Sequence, residues 1–173
     1  MKNIKIILVD YHIVLRNGLK LLLESEQNIS IVGEASSYSE LKTILQQTPT
    51  DILLLDLSIP DKHGLEIIKE LKDSNVNFKI LVFTMHSEEQ YIKSAMSAGA
   101  SGYVEKSALD TELLTAINTV AQGNIYLNSK NALLMVNSLL NTTETNDPYA
   151  LFSNRELEVM KLMVHGYSLS EIG

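Results

Sequence analysis

The chain has 173 residues, 45% of them hydrophobic, which suffices for one substantial core with length left for a smaller unit. A formal charge of -7 and a pI near 5.1 exclude a protein that coats nucleic acid through its overall field, so any DNA contact has to be local. The absence of cysteine excludes disulfides, thiolate metal sites and cysteine nucleophiles.

In chain order, the first element is the apolar run Ile4 to Val9, flanked by Lys2 and Lys5. Asp10 ends it far short of a signal-peptide core or a membrane span, so a soluble, cytoplasmic protein with no membrane partner is expected. Leu15, Leu19, Leu22 and Leu23 then fall at helical spacing, followed by a weaker strand over Ile29 to Gly33. Leu41, Ile44 and Leu45 mark a second helix, Ile52 to Leu55 a third strand, and Leu65, Ile68 and Leu71 a third helix. A fourth strand is expected over Ile80 to Phe83 and a helix carrying Ile92, Ala95 and Met96 after it. Spacing places a fifth strand over Gly102 to Glu105, before a helix with Leu113, Leu114, Ile117 and Val120. Ser37 with Glu40, and Ser87 with Gln90, have the spacing of capping boxes, and Gly99 and Gly123 fall where helix ends favour a left-handed residue. Strands rich in Ile, Val and Leu that alternate with amphipathic helices predict right-handed crossovers and a parallel sheet covered on both faces.

After Gly123 the pattern changes to a helix carrying Leu133, Leu134, Val136, Leu139 and Leu140, and then to a polar stretch from Asn141 to Pro148 that reads as a linker. From Phe152 a capping box of Ser153 and Glu156 opens a helix with Leu157, Met160 and Val164, and Gly166 stops it. Ser168 and Glu171 open a second helix.

In a parallel sheet the C-terminal strand ends share one rim, where open sheets of this type bind ligands. That rim collects Asp10, Asp56, Thr84 and Lys106. Taken singly, Asp56 reads as a turn-capping Asp, Lys106 as a solvated surface residue, Thr84 as an ordinary strand residue and Tyr103 as edge-strand packing. Taken together, two carboxylates can hold a divalent cation while a hydroxyl and an ammonium meet phosphoryl oxygens, and a carboxylate can itself accept phosphoryl. The four histidines His12, His63, His86 and His165 show no ligand spacing and read as surface or capping residues.

The motifs Ile7-Leu8-Val9-Asp10 with His12, Asp56-Leu57-Ser58-Ile59-Pro60 with Gly64, Val82-Phe83-Thr84, and Ala98 through Lys106 resemble those of a bacterial two-component response regulator. The resemblance implies a flavodoxin-like, doubly wound receiver of strand order 2-1-3-4-5 over residues 1–122. A linker helix and polar linker over 123–148 would follow, and then an all-α fragment over 149–173. Phe152 to Gly173 resembles the opening of a LuxR-type helix-turn-helix and so implies the NarL/FixJ class, lacking the recognition helix that reads bases. By resemblance, Asp56 is the phosphoacceptor for a sensor histidine kinase, and Mg2+ is held by Asp10, Asp56 and the backbone carbonyl of Ser58. Thr84 and Lys106 engage the phosphoryl group, and Tyr103 turns inward behind Thr84. The implied function is a phosphorylation-controlled transcription regulator, not an enzyme, which works as a homodimer through the fifth or first helix. DNA is a partner of a full-length protein of this kind and is not expected for this chain.

The family usually has two adjacent acids after the first strand, and here the second is Tyr11. A phenol, uncharged at neutral pH by its reference chemistry, is a poor substitute for an anionic ligand of a hard cation. Weak Mg2+ binding is the expectation. A phosphate-independent interaction module, with Tyr11 set in the acidic pocket, stays open as a second reading. A phosphohydrolase using Asp56 is a third, although Ser58 stands where that chemistry wants a second acid.

Overall fold

The computed structural model describes residues 2–141. The expectations for the polar linker and for the helix-turn-helix over 149–173 lie outside the described residues. Strands β1 (Ile4–Val9), β2 (Ile29–Ala35), β3 (Ile52–Leu55), β4 (Lys79–Thr84), β5 (Gly102–Glu105) and β6 (Tyr126–Leu127) form one sheet. Helices α1 (Ile13–Glu24), α2 (Tyr38–Gln47), α3 (Gly64–Asp73), α4 (Glu89–Ala98), α5 (Asp110–Ala121) and α6 (Ser129–Asn141) complete the described fold. Among the described residues no helix is long and apolar enough to cross a membrane.

The sheet is parallel throughout, in the order β2-β1-β3-β4-β5-β6. The expected order 2-1-3-4-5 is therefore extended by one short strand, with Gly102 paired to Tyr126 and Tyr103 to Leu127. This moves the sheet edge off β5 and places Tyr103 in the interior. Strands β1, β3 and β4 are buried almost throughout, because each packs helices on both faces. One apolar layer holds Leu19, Leu23, Leu113, Ile117 and Val120 against Ile6, Leu8, Leu54 and Phe83. The other holds Leu41, Ile67, Ile68, Ile92 and Met96 against Ile7, Leu53, Leu55 and Val82.

Ala132 and Met135 of α6 join that second layer, and the helix following β6 packs on α4. Lys93 on α4 donates to Ser138 on α6 at 3.0 Å. Leu133 and Leu140, expected on the apolar stripe, are exposed instead.

Two caps differ from expectation. Ser37 does cap α2 by accepting from the Glu40 amide, but the Glu40 carboxylate returns to the amide and hydroxyl of Ser36, one residue earlier. The first residue before α4 is Glu88, not Ser87, and its side chain makes no cap hydrogen bond. Gly99 ends α4 at φ 111°, as its position suggested.

Gly64 sets the loop that follows the phosphoacceptor candidate. Its amide donates to the Leu57 carbonyl at 3.0 Å, and a Cβ at this position would stand 2.5 Å from Leu57 Cα. Gly64→Ala gains about 1 kcal/mol of helix propensity. It loses more to the backbone clash, because overpacking costs about 1–3 kcal/mol and the obstructing atom is main chain. Urea unfolding should therefore show a net loss of stability, and an unchanged midpoint would show that the loop gives way freely.

Candidate functional site

Pairing of Val9 with Leu55 sets Asp10 and Asp56 side by side at the strand ends. The backbone locks that arrangement: Asp56 N donates to Val9 O at 2.9 Å and Asp10 N to Ala35 O at 3.1 Å. From α1, Arg16 Nη1 donates to the Asp10 carbonyl at 2.6 Å. Its guanidinium also meets Glu34, whose carboxyl is held below its ordinary value chiefly by the hydrogen bond from Lys20.

Lys106 follows β5, and its amide is fixed to Thr84 O at 2.8 Å. Its Nζ lies 2.8 Å from Asp56 Oδ2 and 2.6 Å from Asp10 Oδ2. All three side chains are almost fully buried, with exposures of 3% for Lys106, 2% for Asp56 and 4% for Asp10. Two carboxylates around one ammonium leave a formal excess of one negative charge in a nearly dry pocket. Attraction offsets the desolvation of buried ions only when their remaining lone pairs are also satisfied. Those of Asp56 are met by Lys106 and by the Ser58 amide at 3.2 Å. Asp10 Oδ1 accepts the His12 amide at 2.8 Å, but Asp10 Oδ2, despite its contact with Lys106, makes no aligned hydrogen bond. The pocket therefore fits a divalent cation, which would offset the excess charge.

The structure brings Asp10, Asp56 and Lys106 into direct contact and places the other expected residues around them. Thr84 is fully buried, and its Oγ1 accepts weakly from the His86 amide at 3.5 Å. Ser58 is exposed, and its hydroxyl meets His86 Nε2 at 2.9 Å. Tyr103 is fully buried and donates its hydroxyl to the His86 carbonyl at 2.8 Å; burial pushes its phenol well above the ordinary range. The His86 ring stacks on Tyr91 of α4, with centroids 4.0 Å apart. The loop after β3 is tied to α2 by Asp61, which accepts from the amides of Tyr38 and Ser39 and from the Ser39 hydroxyl. Those bonds, led by the Tyr38 amide, hold its carboxyl below the usual value.

Two sequence expectations are corrected here. Tyr11 does not fill the acidic pocket: it is 58% exposed, with its ring edge-on to His12 at 5.9 Å. His12 is exposed and precedes α1, as expected, but it does not stand apart: its Nδ1 lies 3.2 Å from Asp10 Oδ1 and groups with Asp10 and Asp56 within 4.8 Å. His86 likewise belongs to the site, whereas His63 caps α3 as expected, accepting from the Leu65 amide.

The structure is a doubly wound α/β domain with two acids and a lysine gathered at the rim of its strand ends. The profile of the response regulator receiver domain matches residues 6–118. The chain belongs to the two-component response regulators, in their NarL/LuxR class. It is 34% identical to the oxygen regulatory protein NreC of Staphylococcus carnosus, over 97% of this chain and 80% of that protein. A LuxR-family two-component response regulator from Aurantimonas sp. SI85-9A1 superposes with a TM-score of 0.75 at 31% identity, over 80% of this chain and 99% of that one. A Salmonella typhimurium RcsB response regulator structure, described by its conformational dynamism for DNA interaction, matches 99% of this chain and 82% of that one, with a TM-score of 0.72 at 26% identity.

Proposed function

We propose that this response regulator is controlled by phosphorylation of Asp56 from a sensor histidine kinase, and that the resulting change is passed to a transcription-regulating segment. The observation that carries this reading is the burial of Asp56 and Asp10 around the single ammonium of Lys106. An Asp56 oxygen attacks the donor phosphorus, and the bond to Asp56 forms as the donor's bond to phosphorus breaks. Lys106 and the Thr84 hydroxyl meet the phosphoryl oxygens. A divalent cation held by Asp10, Asp56 and the Ser58 carbonyl would neutralise charge on the transferring group.

The new group brings nearly two negative charges and three acceptor oxygens. A route outward exists in the hydrogen bonds that join Thr84, His86 and Tyr103, and in the stacking of His86 on Tyr91. Helix α6 packs on α4 at the end of that route. In this reading residues 1–122 receive the signal, 123–148 transmit it and 149–173 belong to a helix-turn-helix. Exposed Val14, Leu21 and Leu109 offer an apolar surface on α1 and at the start of α5 for a second copy. One similar structure holds two RcsB dimers on two parallel DNAs, which supports a dimeric, DNA-directed output for a complete protein of this class.

Tyr11 favours a second reading. Its exposed phenol supplies no carboxylate to the pocket, consistent with slow phosphorylation or signalling without phosphate. Incubation with acetyl phosphate and Mg2+ separates the two. The first reading expects the mass gain of one phosphoryl group, abolished by Asp56→Asn. No gain over hours, with a folded protein, would leave the second.

A further inference from the structure

We infer that His12 completes a mixed nitrogen and oxygen cation site with Asp10 and Asp56, suited to an imidazole-accepting first-row cation such as Co2+ or Zn2+ in preference to Mg2+. The inference rests on the reading of this rim as the functional site and concerns which cation the rim selects.

Three features of the chain support it. The ligand atoms of His12, Asp10 and Asp56 already lie within 4.8 Å of one another. Donors bound about 2.1 Å from one metal stand roughly 3.0–3.4 Å apart in octahedral or tetrahedral arrangements. His12 Nδ1 and Asp10 Oδ1, at 3.2 Å, have that spacing without any movement. The imidazole is 62% exposed and so can swing to close the remaining gap toward Asp56.

The local chain geometry explains the placement. Asp10 Oδ1 accepts the amide of His12, two residues on, and this tight turn folds the imidazole back over the carboxylate that precedes it. His12 precedes α1 as its N-cap residue but makes no side-chain cap bond, so its ring has no structural duty there.

The second independent observation is the charge of the pocket: two buried carboxylates share the ammonium of Lys106, at 2.6 and 2.8 Å, and keep a formal excess of one negative charge that a bound cation would offset. The donor chemistry then indicates which one. Mg2+ takes oxygen ligands in near-ideal octahedra and gains nothing from imidazole, whereas Zn2+, Ni2+ and their neighbours are well suited by it. Tyr11, turned outward, leaves two carboxylates and the imidazole as the donors grouped here.

The test compares Co2+ and Mg2+ binding by calorimetry in the wild-type chain and in His12→Ala. The Irving–Williams order favours Co2+ at most sites whatever their ligands, so the response to the variant decides, not the bare ratio. His12→Ala should weaken Co2+ binding at least tenfold and change Mg2+ binding by less than twofold, and the contact-shifted imidazole proton signals of the Co2+ form should vanish. Equal Co2+ affinity in both proteins, or a parallel loss for both metals, would overturn the inference. A far-UV spectrum confirms the fold of the variant, and His12→Gln serves as the second oxygen-donor control, expected to behave as His12→Ala. Failure of the phosphorylation reading shows separately, as no acetyl phosphate mass gain with either cation while Co2+ calorimetry is unchanged.

Discussion

Lys106→Met should cost the receiver about 3–5 kcal/mol of unfolding free energy, the range seen when one partner of a buried ion pair is removed. Met nearly matches the volume of the lysine stem, so packing is little changed and the loss is electrostatic. Asp10 and Asp56 would be left facing each other, almost fully buried, without the ammonium that now lies within 2.8 Å of both. Since domains of this size are stable by only about 5–15 kcal/mol, the variant sits close to its unfolding threshold at room temperature. Urea titration monitored by circular dichroism reads the change.

The same electrostatics predicts the opposite response at Asp56. Asp56→Asn takes the formal charge of the three-residue cluster from one negative to zero while keeping shape, so it should be neutral or stabilising on its own. In that background Lys106→Met should lose less than half of what it loses alone, because only one carboxylate is abandoned. The double-mutant cycle isolates this coupling. A loss below about 1 kcal/mol for Lys106→Met alone, typical of an exposed pair, would mean that the carboxylates are solvated and that the burial argument fails.

Much of this site was legible before the fold was known, for a physical reason. Runs such as Ile52 to Leu55 are apolar on every residue, as a strand covered on both faces requires, and an alternating order fixes which ends share a rim. Asp10, Asp56, Thr84 and Lys106 follow from that topology without any side-chain detail. His12 does not. Its contact with Asp10 depends on a turn in which a side-chain oxygen takes the place of a backbone partner, and a two-residue separation carries no helical ligand spacing. The signal available was the Asp-x-His pattern itself, an acid able to accept the amide two residues on. His86 was hidden differently: Ser58 and Tyr91, its partners, come from other loops and helices, 28 residues upstream and across the next turn. Strand β6 was missed because two residues are too few to show a period, and its strand character comes from the open edge of β5. The cap before α4 shows the limit of pattern alone. Ser87 has the right partner at the right spacing, yet the chain begins its helix one residue later.

Restoring the acid at the exit of β1 should have the larger effect on function. A unit charge about 4 Å from a cation is worth about 4 kcal/mol per cation charge at an effective dielectric of 20. Stripping water from Mg2+ consumes most of that, since this ion dehydrates reluctantly and keeps several waters. A net gain of only about 1.4 kcal/mol already corresponds to tenfold tighter binding. Tyr11→Asp should therefore tighten Mg2+ at least tenfold by calorimetry and raise the rate of acetyl phosphate labelling at Asp56 in step. It should cost the fold little, because Tyr11 is more than half exposed and its ring stands edge-on to His12. The size of the gain also separates the two readings of the native chain. If labelling rises with Mg2+ affinity, the wild-type protein is a phosphoacceptor limited by its cation, and a metal that accepts His12 should raise labelling without any substitution. If Mg2+ tightens and labelling stays absent, the limitation lies in Asp56 itself, held by Lys106 and the Ser58 amide, and the chain signals through its surface alone.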